Sequence, residues 1–258
     1  MPQQLNVYEV PSQPELEELA GWTVVVIDVL RATTTILYAL EAGAKEVAPC
    51  LEIDDALKIA RDMPRSQVVL GGERGGLPIE GFDLGNSPLE YDSAVVAGKT
   101  IALATTNGTR AMHRCRLAES VLIGAFVNAA ALAGRLAGLP RIAFLCAGAD
   151  GEITRDDVLF AGLMIERLQR RAATGCRLNP QAVDARAQWM ASLPVPMATD
   201  AERLPPALLA DQLRKGLAGQ KLVAIGMEDD LYAAARLDRF QIVPSLDLKT
   251  FRIGLPRK

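Results

Sequence analysis

The stretch TVVVIDVLRATTT, residues 23–35, decides the fold. Residues 23–27 form an unbroken β-branched run that ends at Asp28. Arg31 with Thr33, Thr34 and Thr35 then opens a helical pattern over 32–42. A strand with one wet face would alternate polar and apolar residues, so a continuous run predicts a strand covered on both faces. The same order of strand, loop and helix returns where TIALA (100–104) precedes TTNGTRA, and where RIAFLC (141–146) precedes AGADGEITRDD. Further strands are predicted at 67–70, 121–123, 222–225 and 241–243, and further helices at 53–61, 110–116, 128–137, 155–171 and 229–235. This alternation predicts an α/β fold, a mainly parallel sheet in three layers with helices on both faces. Segment 179–215 reads as helical, with Trp189, Met190, Leu208, Leu209 and Leu213 packing and Pro194, Pro196, Pro205 and Pro206 breaking the helices. A chain of 258 residues accommodates one unit or two α/β lobes, 1–98 and 99–258.

Half the residues are apolar, 23% are charged and the net charge is -3, the balance of an ordinary globular enzyme. That charge offers nucleic acid no general attraction, so anionic ligands must be held by local arginines and main-chain donors. No run of about 18 apolar residues suits a membrane, and the amino terminus lacks the basic and apolar regions of a signal peptide, which predicts a cytoplasmic protein. The four cysteines show no CxxC spacing, and most of them are expected as buried thiols. A homo-oligomer is the base-rate expectation for such a chain.

In open α/β sheets, ligands bind beyond the carboxyl ends of the strands. Three glycine-rich, charged segments fall there. Asp28 is placed either to bind a metal or attack phosphorus, or to cap the following helix together with the threonines. In VVLGGERGGLPIEGFDLGNSP (68–88), Glu73 and Arg74 sit among four glycines in a stretch from 71 to 88 with no predicted helix or strand. Such long loops are usually functional. Arg74 can grip phosphate or carboxylate with two donors, and Asn86 adds a neutral one. In TTNGTRA, the N–H groups of Asn107, Gly108 and Thr109, following Thr106, suit an anion site at a helix start or a plain glycine turn. A fourth segment runs from Cys146 through Gly148 to Asp157. There Thr154 and Asp157 fit a capping-box-like pattern, Asp157 alternatively binds metal, and Cys146 is a buried thiol or a pocket-lining one.

Common phosphate chemistries fail on particular residues. The one histidine, His113, lies within a helical run, which excludes histidine-rich zinc sites and phosphohistidine enzymes. The residue six positions after Cys146 is Glu152, where a cysteine phosphatase needs arginine. Asp28 is followed by Val29 and Leu30, not by the DxDx[TV] pattern of haloacid-dehalogenase-type phosphatases. No GK[ST] is present. Any metal should therefore have oxygen ligands, which favours Mg²⁺.

Taken together, VIDVLRATTTI, GGERGG with GFDLGNSP, TTNGTRA and the CAG…DD…AG segment resemble the 2-phosphosulfolactate phosphatase family in order and spacing, over most of the chain. IGMEDDLYAAARLDRFQIVP is a fainter carboxyl-terminal echo. The resemblance implies a Mg²⁺-dependent enzyme, linked in some organisms to coenzyme M synthesis, that hydrolyses phosphate esters of 2-hydroxycarboxylic acids. It implies Asp28, Glu73 and Asp157 as metal or acid–base groups, with Asp28, Arg31, Glu73 and Arg74 as the catalytic set. Thr33, Asn86, Thr106, Asn107, Gly108, Thr109, Cys146 and Gly148 would surround the small anionic substrate. The residues themselves leave open a non-catalytic protein that binds a phosphorylated metabolite, and a transferase. They also leave open water attack or an aspartyl-phosphate at Asp28.

Overall fold

A computed structural model describes residues 2–172, 175–199 and 204–256. Its strands are β1 (Gln3–Tyr8), β2 (Thr23–Ile27), β3 (Glu46–Cys50), β4 (Val68–Arg74), β5 (Leu77–Pro78), β6 (Thr100–Ala104), β7 (Ser120–Gly124), β8 (Arg141–Cys146), β9 (Cys176–Leu178), β10 (Ser245–Asp247) and β11 (Arg252–Gly254). They join in one sheet of order β5-β4-β6-β3-β11-β10-β7-β2-β8-β1-β9. The pairings of β3 and β4 with β6, of β2 with β7 and β8, and of β1 with β8 and β9 are all parallel. Between the named strands, antiparallel pairing among the described residues is confined to the β4–β5 hairpin and to β10 and β11, which bridge β7 to β3.

The apolar run of β2 is buried at every position because its two faces feed two cores. Val25 and Ile27 join Phe144, Phe160 and Trp189 under the helices Ala129–Leu136, Arg155–Arg171 and Pro180–Ser192. Val24 and Val26 join Ile36, Leu37 and Met112 under the helices Ala32–Glu41 and Asn107–Arg114. Burying each such side chain contributes about 1.5–3 kcal/mol, so the central strand is committed from both sides. The α/β class and the helix-covered, mostly parallel sheet are as expected. A cut at residue 98 would separate β6 from β3 and β4, its partners on both sides.

Four local expectations need correction. Residues 222–224 belong to the helix Leu217–Ala224 and Ile225 caps its carboxyl end, because a four-residue apolar run carries no period of its own and its neighbours are helical. Residues 241–243 are irregular, and the strand there begins later, at Ser245. The glycine-rich stretch 71–88 is not wholly loop, since β4 continues through Glu73 and Arg74 and turns back at β5. Finally, Pro196 and Pro206 lie inside helices rather than breaking them; Pro206 takes the first helical position, where no N–H is needed. Trp189, Leu209 and Leu213 are buried as expected.

Candidate active site

A cleft of about 310 Å³ opens where the segments following β2, β4, β6 and β8 meet the helix Leu217–Ala224. Asp28, Arg31, Glu73, Asn86 and Asn107 line it, so residues separated by up to 79 positions converge as the α/β rule requires. Thr105, Asp150, Glu152, Thr154 and Lys221 also face it, as do Ile153, Leu217, Leu222 and Ile225.

Asp28 leaves β2 at its carboxyl end. Its Oδ1 accepts the Ala32 N–H at 3.2 Å, so it does cap the next helix while presenting its carboxylate to the cleft. Burial pushes this carboxyl up to about 6. The Ala32 N–H opposes the shift, the Glu73 charge adds to it, and the Gly108 N–H and Arg31 oppose it more weakly. Glu73 is held by the Gly76 N–H at 2.7 Å and by the Thr106 N–H at 3.5 Å. The start of the helix Asn107–Arg114 thus directs its donors at two carboxylates of the protein itself, Asp28 and Glu73. In place of an open anion site there is a preorganised acid pair.

Arg31 is 5% exposed and heavily engaged. Its Nη1 donates to Asp230 Oδ2 at 2.9 Å and to Met227 sulfur at 2.7 Å, and its Nη2 donates to Gly76 O at 2.7 Å. Ser87 donates to the other Asp230 oxygen. An arginine has five N–H donors, so Nε and one Nη2 hydrogen are left for a ligand. Asn86 is 4% exposed, and its Oδ1 has no hydrogen-bond partner. A buried amide oxygen without a donor or a cation costs about 1–3 kcal/mol, which marks it as a ligand-facing atom.

Other anticipated residues lie behind the cleft. Arg74 donates to Leu51 O and to the Glu73 carbonyl, bracing backbone. Thr33 bonds both main-chain groups of Asp28, and the Thr109 hydroxyl pairs with that of Thr105 at 3.1 Å. Cys146 is fully buried in the core, where desolvation raises its thiol well above the ordinary range. Asp157 accepts the Val29 N–H at 2.8 Å and the Gly148 N–H at 3.1 Å, stapling the loop after β2 to the loop after β8. Both of its oxygens are therefore occupied, and burial, followed by the charges of Asp156 and Asp28, raises it well above the carboxylate range. Thr154 makes no capping bond; its buried hydroxyl is unpartnered at the cleft wall, so the capping-box expectation fails. Among the described residues no group of three or more His, Cys, Asp and Glu side chains is arranged to hold a metal, so Asp157 does not complete a triad with Asp28 and Glu73.

Lys221 and Asp230 were not anticipated. Lys221 adjoins the run 222–225 that reads as a strand but lies in the helix Leu217–Ala224. Asp230 sat in a recognised helix, but only the three-dimensional contact with Arg31 gives it meaning.

Fold and site together define an α/β protein with a carboxylate- and arginine-lined ligand cleft at the carboxyl ends of parallel strands. The sequence matches the profile described as 2-phosphosulpholactate phosphatase over residues 8–249, and the chain belongs to that family. It is 41% identical to the "Probable 2-phosphosulfolactate phosphatase" of Symbiobacterium thermophilum, over 90% of this chain and 94% of the relative. Proteins of the same description from Caldanaerobacter subterraneus and Parasynechococcus marenigrum are 36% and 38% identical, covering 94% and 86% of this chain and 95% and 87% of their own lengths. Among the described residues no helix is long and apolar enough to cross a membrane.

Proposed function

We propose that the protein is a Mg²⁺-dependent phosphatase of 2-hydroxycarboxylic acid phosphate esters, with 2-phosphosulfolactate as its substrate and sulfolactate and phosphate as products. The observation that carries this reading is the convergence of Asp28, Glu73, Arg31 and the unpartnered Asn86 Oδ1 in one cleft of a family member. The family's relatives are described as phosphatases of that ester.

Two carboxylates and an amide oxygen are hard donors, and Mg²⁺ characteristically takes one or two protein carboxylates while keeping waters and substrate phosphate. Asp28, Glu73 and Asn86 fit that role and would hold the ion. Bound there, Mg²⁺ would neutralise charge on the transferring phosphoryl group and polarise its oxygens. The cleft needs such help, because Asp28, Glu73, Asp150 and Glu152 face it against the cations Arg31 and Lys221. The two remaining donors of Arg31 would orient phosphoryl oxygens, and the Gly76 and Thr106 N–H groups keep Glu73 from swinging into the substrate's space. In the overall reaction water adds to phosphorus, the bond to the 2-oxygen breaks, and that oxygen leaves as the hydroxyl of the product.

Phosphate release from 2-phosphosulfolactate, 2-phospholactate, phosphoglycolate, a sugar phosphate and p-nitrophenyl phosphate, with Mg²⁺ and then with EDTA, tests the reading. Turnover of the 2-hydroxy-acid esters that EDTA abolishes is expected. Intact binding of these esters without release of phosphate would replace it with a binding protein.

A further inference from the structure

The charged groups on the cleft wall carry an inference that rests on the phosphatase reading and goes beyond it. Among the described residues two cations face the cleft, Arg31 and Lys221. Arg31 is already neutralised by Asp230 in an ion pair whose side chains are 4% and 3% exposed, so its charge is spent inside the protein. Lys221 forms no ion pair among the described residues and is exposed at the cleft mouth.

The position of Lys221 follows from the helix Leu217–Ala224, which presents Leu217, Lys221 and Leu222 to the cleft, with Ile225 just beyond. Gly76 faces it. A Cβ built on Gly76 would lie 3.4 Å from Lys221 Cε and 3.9 Å from Nζ. The same Gly76 gives its N–H to Glu73 and its carbonyl to Arg31, so Lys221 stands just outside the polar centre, flanked by apolar side chains. A lysine without an ion-pair partner at such a mouth keeps its charge available to an anion, while its aliphatic stem lies along the apolar side chains.

A phosphate ester of a 2-hydroxy acid carries at least one acid group besides the phosphoryl, and the inner cation is already paired. We infer that Lys221 binds this second acid group, the carboxylate or sulfonate, and thereby selects acid-bearing esters over simple ones. Lysine acts here as a point charge, without the paired donors of arginine, and so tolerates either group.

The experiment compares Lys221→Met and Lys221→Arg with the wild type on 2-phosphosulfolactate, 2-phospholactate and p-nitrophenyl phosphate, and measures sulfolactate and inorganic phosphate binding by calorimetry. For Lys221→Met, kcat/KM on 2-phosphosulfolactate should fall at least tenfold further than on p-nitrophenyl phosphate, mainly through KM, with Lys221→Arg recovering most of it. A matching loss on 2-phospholactate assigns the contact to the carboxylate; a loss confined to 2-phosphosulfolactate assigns it to the sulfonate. Equal losses on all three esters, or no loss, overturn the inference. If the wild type hydrolyses no ester, the phosphatase reading fails by itself. Sulfolactate affinity then decides this inference: at least tenfold weaker binding to Lys221→Met supports it, and unchanged binding overturns it.

Discussion

A Cβ placed on Gly108 would lie 2.8 Å from Asp28 Oδ2 and 3.0 Å from Ala32 Cβ, so the helix Asn107–Arg114 abuts the cleft carboxylate with no room for a side chain. Gly108 has an ordinary helical backbone; its requirement is for space. Gly108→Ala should displace the Asp28 carboxylate, lowering kcat by about ten- to a hundredfold, in the range seen when a positioned group is misplaced. Because the short Asp28 side chain can yield, the Tm should fall by only a few degrees. Steady-state kinetics beside a thermal melt check this, and a large Tm loss with normal kcat would refute it.

Asp230 is predicted to matter through Arg31. Breaking a buried ion pair by removing one partner costs about 3–5 kcal/mol, because the other charge stays buried and unpaired. Asp230→Asn should therefore destabilise the protein strongly, while the double variant Arg31→Leu with Asp230→Leu should lose much less than the sum of the two single leucine variants. Denaturant melts of the four proteins in this cycle measure the coupling. Additive losses would show that the pair is not a unit.

Asp156 contributes, beside Asp28 and Asp157, to the pH dependence of the metal-free protein. This carboxyl is buried, its Oδ1 has no partner, and its Oδ2 accepts the Leu30 N–H at 3.1 Å. Burial raises it from 3.8 to about 7; its own N–H opposes the shift, the Asp28 charge adds to it, and the Leu30 N–H opposes it again. The folded state therefore keeps the proton longer than the unfolded chain. The associated stability is fully present below about pH 4 and is lost as pH rises through about 7. Asp156→Asn, which is neutral throughout, should flatten this slope in EDTA; an unchanged slope would contradict it.

Gly162 is predicted to be the least replaceable residue of the helix pair beneath the sheet. A Cβ there would lie 2.1 Å from Ala185 O and 2.9 Å from Trp189 Cβ, so the backbones of Arg155–Arg171 and Pro180–Ser192 would have to part. Overpacking of this kind costs about 1–3 kcal/mol. For a chain of this length that lowers Tm by about 2–12 °C. Thermal melts of Gly162→Ala check it, with Gly134→Ala, which meets no atom within 4 Å, as the control.

The sequence revealed strands where burial on both faces leaves an unbroken apolar run, as in β2, β6 and β8. It concealed β1, whose QQLNVY alternates because only every second residue is buried, and β3, whose Pro49 reads as a breaker. Pro49 is tolerated beyond Val47, the one residue of β3 that pairs with β11. In the cleft, Asp28, Glu73 and Asn86 were legible because they fall at or after strand ends, where an α/β sheet gathers its ligand-facing groups. Arg74, Thr109 and Cys146 share those neighbourhoods and point elsewhere, and local sequence carries no record of side-chain direction. Asp230 was silent for a different reason: its partner lies 199 positions away.

The β10–β11 hairpin joins two parallel groups of strands, β3, β4 and β6 on one side and β7, β2, β8, β1 and β9 on the other. It comes after every other strand in the chain, so during synthesis both groups emerge before the piece that joins them exists. Each must remain with an open inner edge, able to pair with foreign strands, until residue 254 has been made. A ribosome stalled after β9 would thus hold a chain whose cleft residues are translated as far as Thr154, yet whose sheet is still two sheets.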